Sequence, residues 1–73
     1  MNYEKINNIR SLMNIDYIDE DVDLFSSGTI DSMGFMILIE ELSVQYNYYF
    51  DFNFLNSGSP ITINSIAGAL FEK

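Results

Sequence analysis

The segment from residue 16 to residue 31 constrains the fold most, because it has no helical period and lies between two segments that have one. Loops longer than about 12 to 15 residues are uncommon in compact domains and are usually functional or disordered. This segment carries apolar residues of the kind found in protein cores. They are Tyr17, Ile18, Val22, Leu24, Phe25 and Ile30. We therefore predict a long loop held in place by its apolar side chains.

Apolar residues on both sides of this loop recur at spacings of three and four, which is the pattern of one helical face. The first set is Tyr3, Ile6, Ile9, Leu12 and Met13, and the second set is Phe35, Leu38, Ile39, Leu42 and Tyr46. The spacing predicts a first helix over residues 3–14 and a second, central helix over residues 32–47.

From residue 46 to residue 54, aromatic residues alternate with polar ones, and this period of two is typical of a strand. A single strand cannot form a sheet, and no second strand-like run is visible. We therefore predict an extended connector over residues 48–61, with a short helix near residues 54–56. Thr62 is a good N-cap for a last helix over residues 62–72. The inward residues of that helix would be Ile63, Ile66, Ala67, Leu70 and Phe71.

These elements predict an all-α fold, a small bundle of three main helices and one short helix in a single domain spanning residues 1–73. The chain has no His and no Cys, which excludes disulfides, thiolate zinc sites and imidazole bases. Its formal net charge is −8, so nucleic acids and anionic membranes are poor partners and proteins with basic patches are good ones.

The N-terminal residues contain neither a basic region nor an apolar run of the kind found in secretory signals. The longest apolar run, residues 35–39, is far shorter than the roughly 20 residues of a membrane span. We expect a cytoplasmic monomer that does not cross a bilayer.

The acids of the loop suggest calcium, because Asp19, Asp21 and Asp23 stand at the first, third and fifth places of an EF-hand-like loop. The sixth place is Leu24, where the loop requires Gly, and the twelfth is Ile30, where it requires Glu. We therefore predict a solvated acidic surface and no metal site. No nucleophile has a suitable base in the sequence, so we also predict no catalytic residues.

Ser32 lies where the loop meets the central helix, beside backbone N–H groups at the positive end of the helix dipole. One interpretation is an ordinary N-cap serine. The other is a serine that carries an esterified phosphate, which a helix N-terminus would stabilise. Gly34 leaves a bare surface close to the backbone, on which a ligand could lie.

Residues 23–34 read Asp-Leu-Phe-Ser-Ser-Gly-Thr-Ile-Asp-Ser-Met-Gly. This stretch resembles the attachment motif of the acyl carrier protein superfamily, in which Asp-Leu-Phe, a Gly and a final Asp-Ser recur at this spacing. The segment Thr-Ile-Asn-Ser-Ile at residues 62–66 is similar to the Thr-Ile-x-x-Ile segment of the same proteins. The order of the predicted elements also resembles that superfamily along the whole chain.

The resemblance implies that Ser32 receives 4′-phosphopantetheine from coenzyme A through a separate, Mg²⁺-dependent phosphopantetheinyl transferase. Asp31 would help that transferase organise its metal and substrate, or cap the helix, or do both. Gly28, Met33 and Gly34 complete the attachment motif. The thiol of the arm would carry an acyl group as a thioester, so that the carrier needs no Cys of its own. The implied partners are the transferase, an adenylating or acyl-loading enzyme and downstream acyl-transfer enzymes.

Partner enzymes of this superfamily usually bind the second helix, which is rich in Glu in many fatty-acid carriers. Here that helix carries two acids, Glu40 and Glu41. It also carries Met33, Met36, Ile37 and Val44 at places where some would face outward. We expect about half of these four in the core. The predicted docking residues are Met36, Ile37, Glu40, Glu41 and Val44.

The Asp-Ser-Met-Gly sequence at residues 31–34 is similar to that of D-alanyl carrier proteins of teichoic acid modification. The aromatic connector lacks the Glu-Trp-x-Thr-Pro pattern of those proteins, so a specialised carrier of another amino acid or acyl unit is the alternative. A housekeeping fatty-acid carrier would have a more acidic second helix. The competing class is a small acidic module that binds or inhibits a basic protein without a cofactor.

Five acids between residues 16 and 23 should repel one another at low ionic strength, because few Lys or Arg residues are available to pair with them. We expect added NaCl or Mg²⁺ to raise the melting temperature, as measured by circular dichroism. A melting temperature that does not respond to salt would contradict this account of the loop.

Overall fold

The computed structural model describes residues 3–14 and 18–73. The helices in chain order are α1 (Tyr3–Met13), α2 (Ser32–Tyr46), a 3₁₀ helix (Phe52–Ser57) and α3 (Ile63–Gly68). The strands are β1 (Tyr48–Phe50) and β2 (Leu70–Glu72). The predictions for Asp16 and Tyr17 fall outside the described residues.

The all-α prediction is wrong, because β1 and β2 form a two-stranded antiparallel sheet. Tyr49 pairs with Phe71 at its centre, and Asp51 N–H extends the ladder to the carbonyl of Ala69 at 2.8 Å. Only α1 and α2, among the helices of the described residues, have seven residues or more. The period of two in the aromatic connector therefore did indicate a strand, and its partner is the end of the chain.

The predicted last helix over residues 62–72 is wrong in its second half. After α3 ends at Gly68, Ala69 leaves the helical conformation with φ −99° and ψ 2°. Leu70 and Phe71, which a helix would place on one face, point to opposite faces of a strand. Leu70 is buried at 1% exposure, whereas Phe71 is 42% exposed. The strand also pairs backbone groups of β1 that the connector would have left without partners.

The two long helices are confirmed to within a residue of their predicted ends. Ile6 and Ile9 of α1 are buried. The buried residues of α2 are Phe35, Leu38, Ile39 and Leu42. These faces form one core with the inner faces of α3 and the sheet.

The loop between α1 and α2 is held to the N-terminus of α3 over its described part. Leu24 is completely buried, and its N–H donates to the carbonyl of Ile61 at 2.8 Å. The carbonyl of Leu24 accepts from Ile30 N–H at 3.1 Å, and Asn64 N–H donates to the carbonyl of Glu20 at 3.0 Å. The loop is thus anchored by one core side chain and by backbone hydrogen bonds.

The start of α3 confirms Thr62 as its N-cap. Thr62 Oγ1 accepts from Ser65 N–H at 2.9 Å, while Ser65 Oγ accepts from Thr62 N–H at 2.8 Å. This reciprocal pair is a capping box. Within residues 3–14 and 18–73, no helix combines the length and apolar character that crossing a bilayer requires.

We expect Leu24→Ala to lower the free energy of unfolding by about 2–5 kcal/mol, because it opens a cavity in the core beneath the loop. Leu55→Ala, the same substitution at a side chain that is 43% exposed, is the matched control and should cost far less. Urea denaturation of both variants measures the difference. Equal losses would show that Leu24 does not anchor the loop.

Candidate functional site

The N-terminus of α2 is capped by Asp31 and not by Ser32. Asp31 has extended φ and ψ of −111° and −178°, and its Oδ1 accepts from Gly34 N–H at 2.7 Å. Its carbonyl accepts from Phe35 N–H at 2.9 Å. Ser32 is therefore the first helical residue, and the interpretation of Ser32 as an ordinary N-cap is wrong. Its side chain is exposed beside the cap.

The turn before the cap accounts for Gly28. Asp23 Oδ1 accepts from Phe25 N–H at 3.0 Å and from Ser26 N–H at 3.1 Å, and Gly28 N–H donates to the carbonyl of Phe25 at 3.1 Å. Gly28 has a φ of +77°, and a Cβ added there would meet no atom within 4 Å. Backbone conformation, and not lack of space, therefore favours glycine at this position.

Gly34 allows the end of the loop to pack closely on the first turn of α2. A Cβ at this position would lie 3.1 Å from Asp31 Oδ1 and 3.1 Å from Ile30 Cγ1. Gly34 also borders an open cavity of about 430 Å³ beside Asp31. The other residues that line this cavity are Phe25, Gly28, Thr29 and Ile30. The bare surface expected at Gly34 is thus partly occupied by the protein itself and partly open.

The exposed face of α2 is more apolar than predicted. Met33, Met36, Ile37 and Val44 are exposed at 73%, 53%, 54% and 76%. The expectation that about half of them lie in the core is wrong. Glu40 is exposed, and Glu41 is half-buried and accepts from Gln45 Nε2. All five predicted docking residues are therefore at least partly accessible.

Two open surfaces flank this face of α2. The first, which we call the α1-side cleft, has a volume of about 220 Å³ and includes Ile37 and Glu41 from α2 with Leu12 and Met13 from α1. The second, which we call the sheet-side groove, has a volume of about 370 Å³. It is lined by Met36, Ile39, Glu40, Ser43, Val44, Tyr49, Phe50 and Phe52.

The sheet-side groove lies on the same side of α2 as Ser32. Met36, Ile39 and Ser43 follow Ser32 by four, seven and eleven residues, which places all of them on one stripe of the helix. Ser32 therefore lies one helical turn before Met36, at the N-terminal end of this stripe. Tyr49 and Phe52 were not predicted as site residues. The period of two puts Phe52 on the same side of the connector as Phe50, which is buried, so no signal in the sequence indicated the exposure of Phe52.

The acids of the loop accept hydrogen bonds from within the loop and from α3. Asp19 Oδ1 accepts from Asp21 N–H at 2.9 Å, and Asp21 Oδ1 accepts from Asn64 Nδ2 at 3.4 Å. In the described part of the chain, no group of three acidic side chains could hold a metal ion. These carboxylates shape the loop and contribute negative charge to its surface.

Comparison with protein-family models, with curated proteins and with solved structures finds no match for this chain. The predicted relation to carrier proteins therefore rests on the sequence alone, that is, on residues 23–34, on residues 62–66 and on the order of the predicted elements.

We expect Asp31→Ala to lower the free energy of unfolding by about 1 kcal/mol, because Gly34 N–H loses its acceptor at the start of α2. Asp31→Asn supplies an oxygen at the same place and should lose much less. Urea denaturation of the two variants checks this prediction. If Asp31→Asn lost as much as Asp31→Ala, negative charge and not capping would be the main role of Asp31 in stability.

Proposed function

We propose that this protein is a carrier that is 4′-phosphopantetheinylated on Ser32 and moves an acyl or aminoacyl group between partner enzymes as a thioester. The observation that supports this most directly is the position of Ser32. Its side chain is exposed at the first residue of α2, directly after the capping Asp31. A transferase can therefore reach the hydroxyl without any rearrangement of the core.

The start of α2 suits a phosphodiester. The first N–H groups of a helix have no partners within the helix, and the positive end of the helix dipole favours an anion. Asp31 uses one carboxylate oxygen for the cap at Gly34, and the side chain remains exposed. The other oxygen is thus accessible to a metal ion brought by the transferase.

The group on Ser32 would supply the thiol that the chain lacks, since the sequence contains no Cys. The residues of this chain position that group and present it to partners. Met33, Met36, Ile37 and Val44 offer apolar contacts on α2, while Glu40 and Glu41 attract basic surfaces. The proposal implies three kinds of partner, which are a transferase, an acyl-loading enzyme and an acyl-transfer enzyme. It also implies a cytoplasmic location, where coenzyme A is available.

The decisive experiment incubates the protein with coenzyme A, Mg²⁺ and a broad-specificity phosphopantetheinyl transferase, followed by intact mass spectrometry. We expect one phosphopantetheine on the parent chain and none on Ser32→Ala. Ser26→Ala, which changes another exposed serine of the same loop, should be modified like the parent. Asp31→Asn should be modified more slowly, because it keeps a capping oxygen and loses the charge that attracts the metal.

No addition to the parent would contradict the carrier proposal and favour an acidic binding module. Equal modification of Ser32→Ala and the parent would contradict the assignment of the site. The carried group would be identified by testing which amino or carboxylic acid a genomically adjacent adenylating enzyme loads onto the arm. Failure with D-alanine would contradict the teichoic-acid interpretation.

A further inference from the structure

Five large apolar side chains are exposed together around the sheet-side groove. These residues, which we call the aromatic patch, are Met36, Val44, Tyr49, Phe52 and Phe71. The first four line the groove, and Phe71 stacks on Tyr49 with the ring centroids 5.4 Å apart. Their exposed fractions run from 42% for Phe71 to 76% for Val44. A contiguous apolar surface on a small domain marks a site of interaction.

The charges at the aromatic patch differ from those on the rest of the chain. Lys5 Nζ lies 5.7 Å from the centroid of the Phe71 ring, and Lys73 Nζ donates to Ser43 Oγ in the groove at 2.5 Å. Two of the three cations of the sequence therefore border the patch. Glu40 lines the groove, and Asp51 and Glu72 adjoin the patch in sequence. The remainder of the sequence carries eight acids and one cation.

We propose that the aromatic patch binds a second copy of this chain and forms a symmetric dimer, in place of the monomer expected from the sequence. Two chains with a net charge of −8 repel each other, and the repulsion is smallest where the charges nearly balance. The patch combines that near balance with exposed apolar area. In a twofold dimer, each copy presents the same surface to the other.

The layout of the patch fits this symmetry. Lys5 lies at Phe71, Lys73 lies at Ser43, and Glu40 lines the groove. The patch therefore carries charges of both signs beside its apolar residues, so two copies of it do not present like-charged surfaces to each other. A basic partner fits the aromatic patch less well than the α1-side cleft, because Lys5 and Lys73 border the patch, whereas Glu41 is the charged residue that lines the cleft.

The dimer divides the exposed face of α2 between two uses. Met36, Glu40 and Val44 belong to the sheet-side groove, whereas Ile37 and Glu41 belong to the α1-side cleft. The second copy would cover the first three and leave the last two open to other proteins. None of the observations behind the dimer involves modification of Ser32. If both proposals hold, the carrier's partner enzymes bind at Ile37 and Glu41 in the dimer and reach Met36, Glu40 and Val44 only in the monomer.

Sedimentation equilibrium from low micromolar to millimolar protein tests the proposal. We expect the average mass to rise with concentration from 8.4 kDa toward twice that value. We also expect added NaCl to strengthen association, because salt screens the repulsion between the remaining acids of the two copies. Binding to a basic partner would weaken with salt instead.

Val44→Glu should weaken the dimer at least about tenfold. Ile37→Glu is the matched control, because it adds the same charge to the same helix on the α1-side cleft, and it should leave the dimer unchanged. Phe71→Thr, which replaces the ring by a β-branched residue that also favours strands, should weaken the dimer without adding charge. Far-UV circular dichroism verifies that each variant is folded.

A chain that stays monomeric at every concentration would overturn the proposal. So would association that weakens with added salt, or equal losses in Val44→Glu and Ile37→Glu. A dimer unaffected by both Val44→Glu and Phe71→Thr would place the interface elsewhere and would also overturn it. Phosphopantetheinylation of Ser32→Ala and the parent is a separate measurement, so failure of either proposal can be recognised independently.

Discussion

The burial of Leu24 is the interaction on which the arrangement of the candidate site depends. Leu24 is the one fully buried residue of the described loop, and both of its backbone polar groups are bonded, one to Ile61 and one to Ile30. These contacts link the loop to the segment before α3 and to the segment before α2. Because Ile30 directly precedes Asp31, fixing Leu24 also fixes where α2 begins and where Ser32 is exposed.

The sheet has the complementary role at the other end of α2. β1 follows α2 after Asn47, which has the left-handed φ of 61° at the helix C-cap. Pairing with β2 turns Tyr48, Phe50 and Leu70 into the core and leaves Tyr49 and Phe71 outside. The same alternation that completes the core therefore creates the exposed aromatic surface beside α2. A domain of this size has a small hydrophobic core. Here three residue pairs of sheet complete that core.

The site itself combines features that the sequence identified with features that it did not. Asp31 and Ser32 were identified as a pair, but only the hydrogen bond to Gly34 shows that Asp31 is the cap and Ser32 the first helical residue. The prediction that about half of Met33, Met36, Ile37 and Val44 lie in the core was wrong, because the helical period of α2 shows which residues can share a face and not how many neighbours cover it. The packing of α1 and β1 on α2 covers one face and leaves all four of these residues outside.

The sequence by itself determined α1, α2, the N-cap of α3 and the need for an anchored loop, because each depends on local spacing or on one capping side chain. The tertiary structure determined the conformation of the aromatic connector and of the last residues. A strand exists only with a partner, and the partner of β1 lies 22 positions away, at Phe71 for Tyr49. Leu70 and Phe71 fit an inward helical face as well as they fit a strand when read alone. Only the backbone hydrogen bonds to β1 stabilise the strand over the helix, and no periodicity within the C-terminal segment indicates those hydrogen bonds.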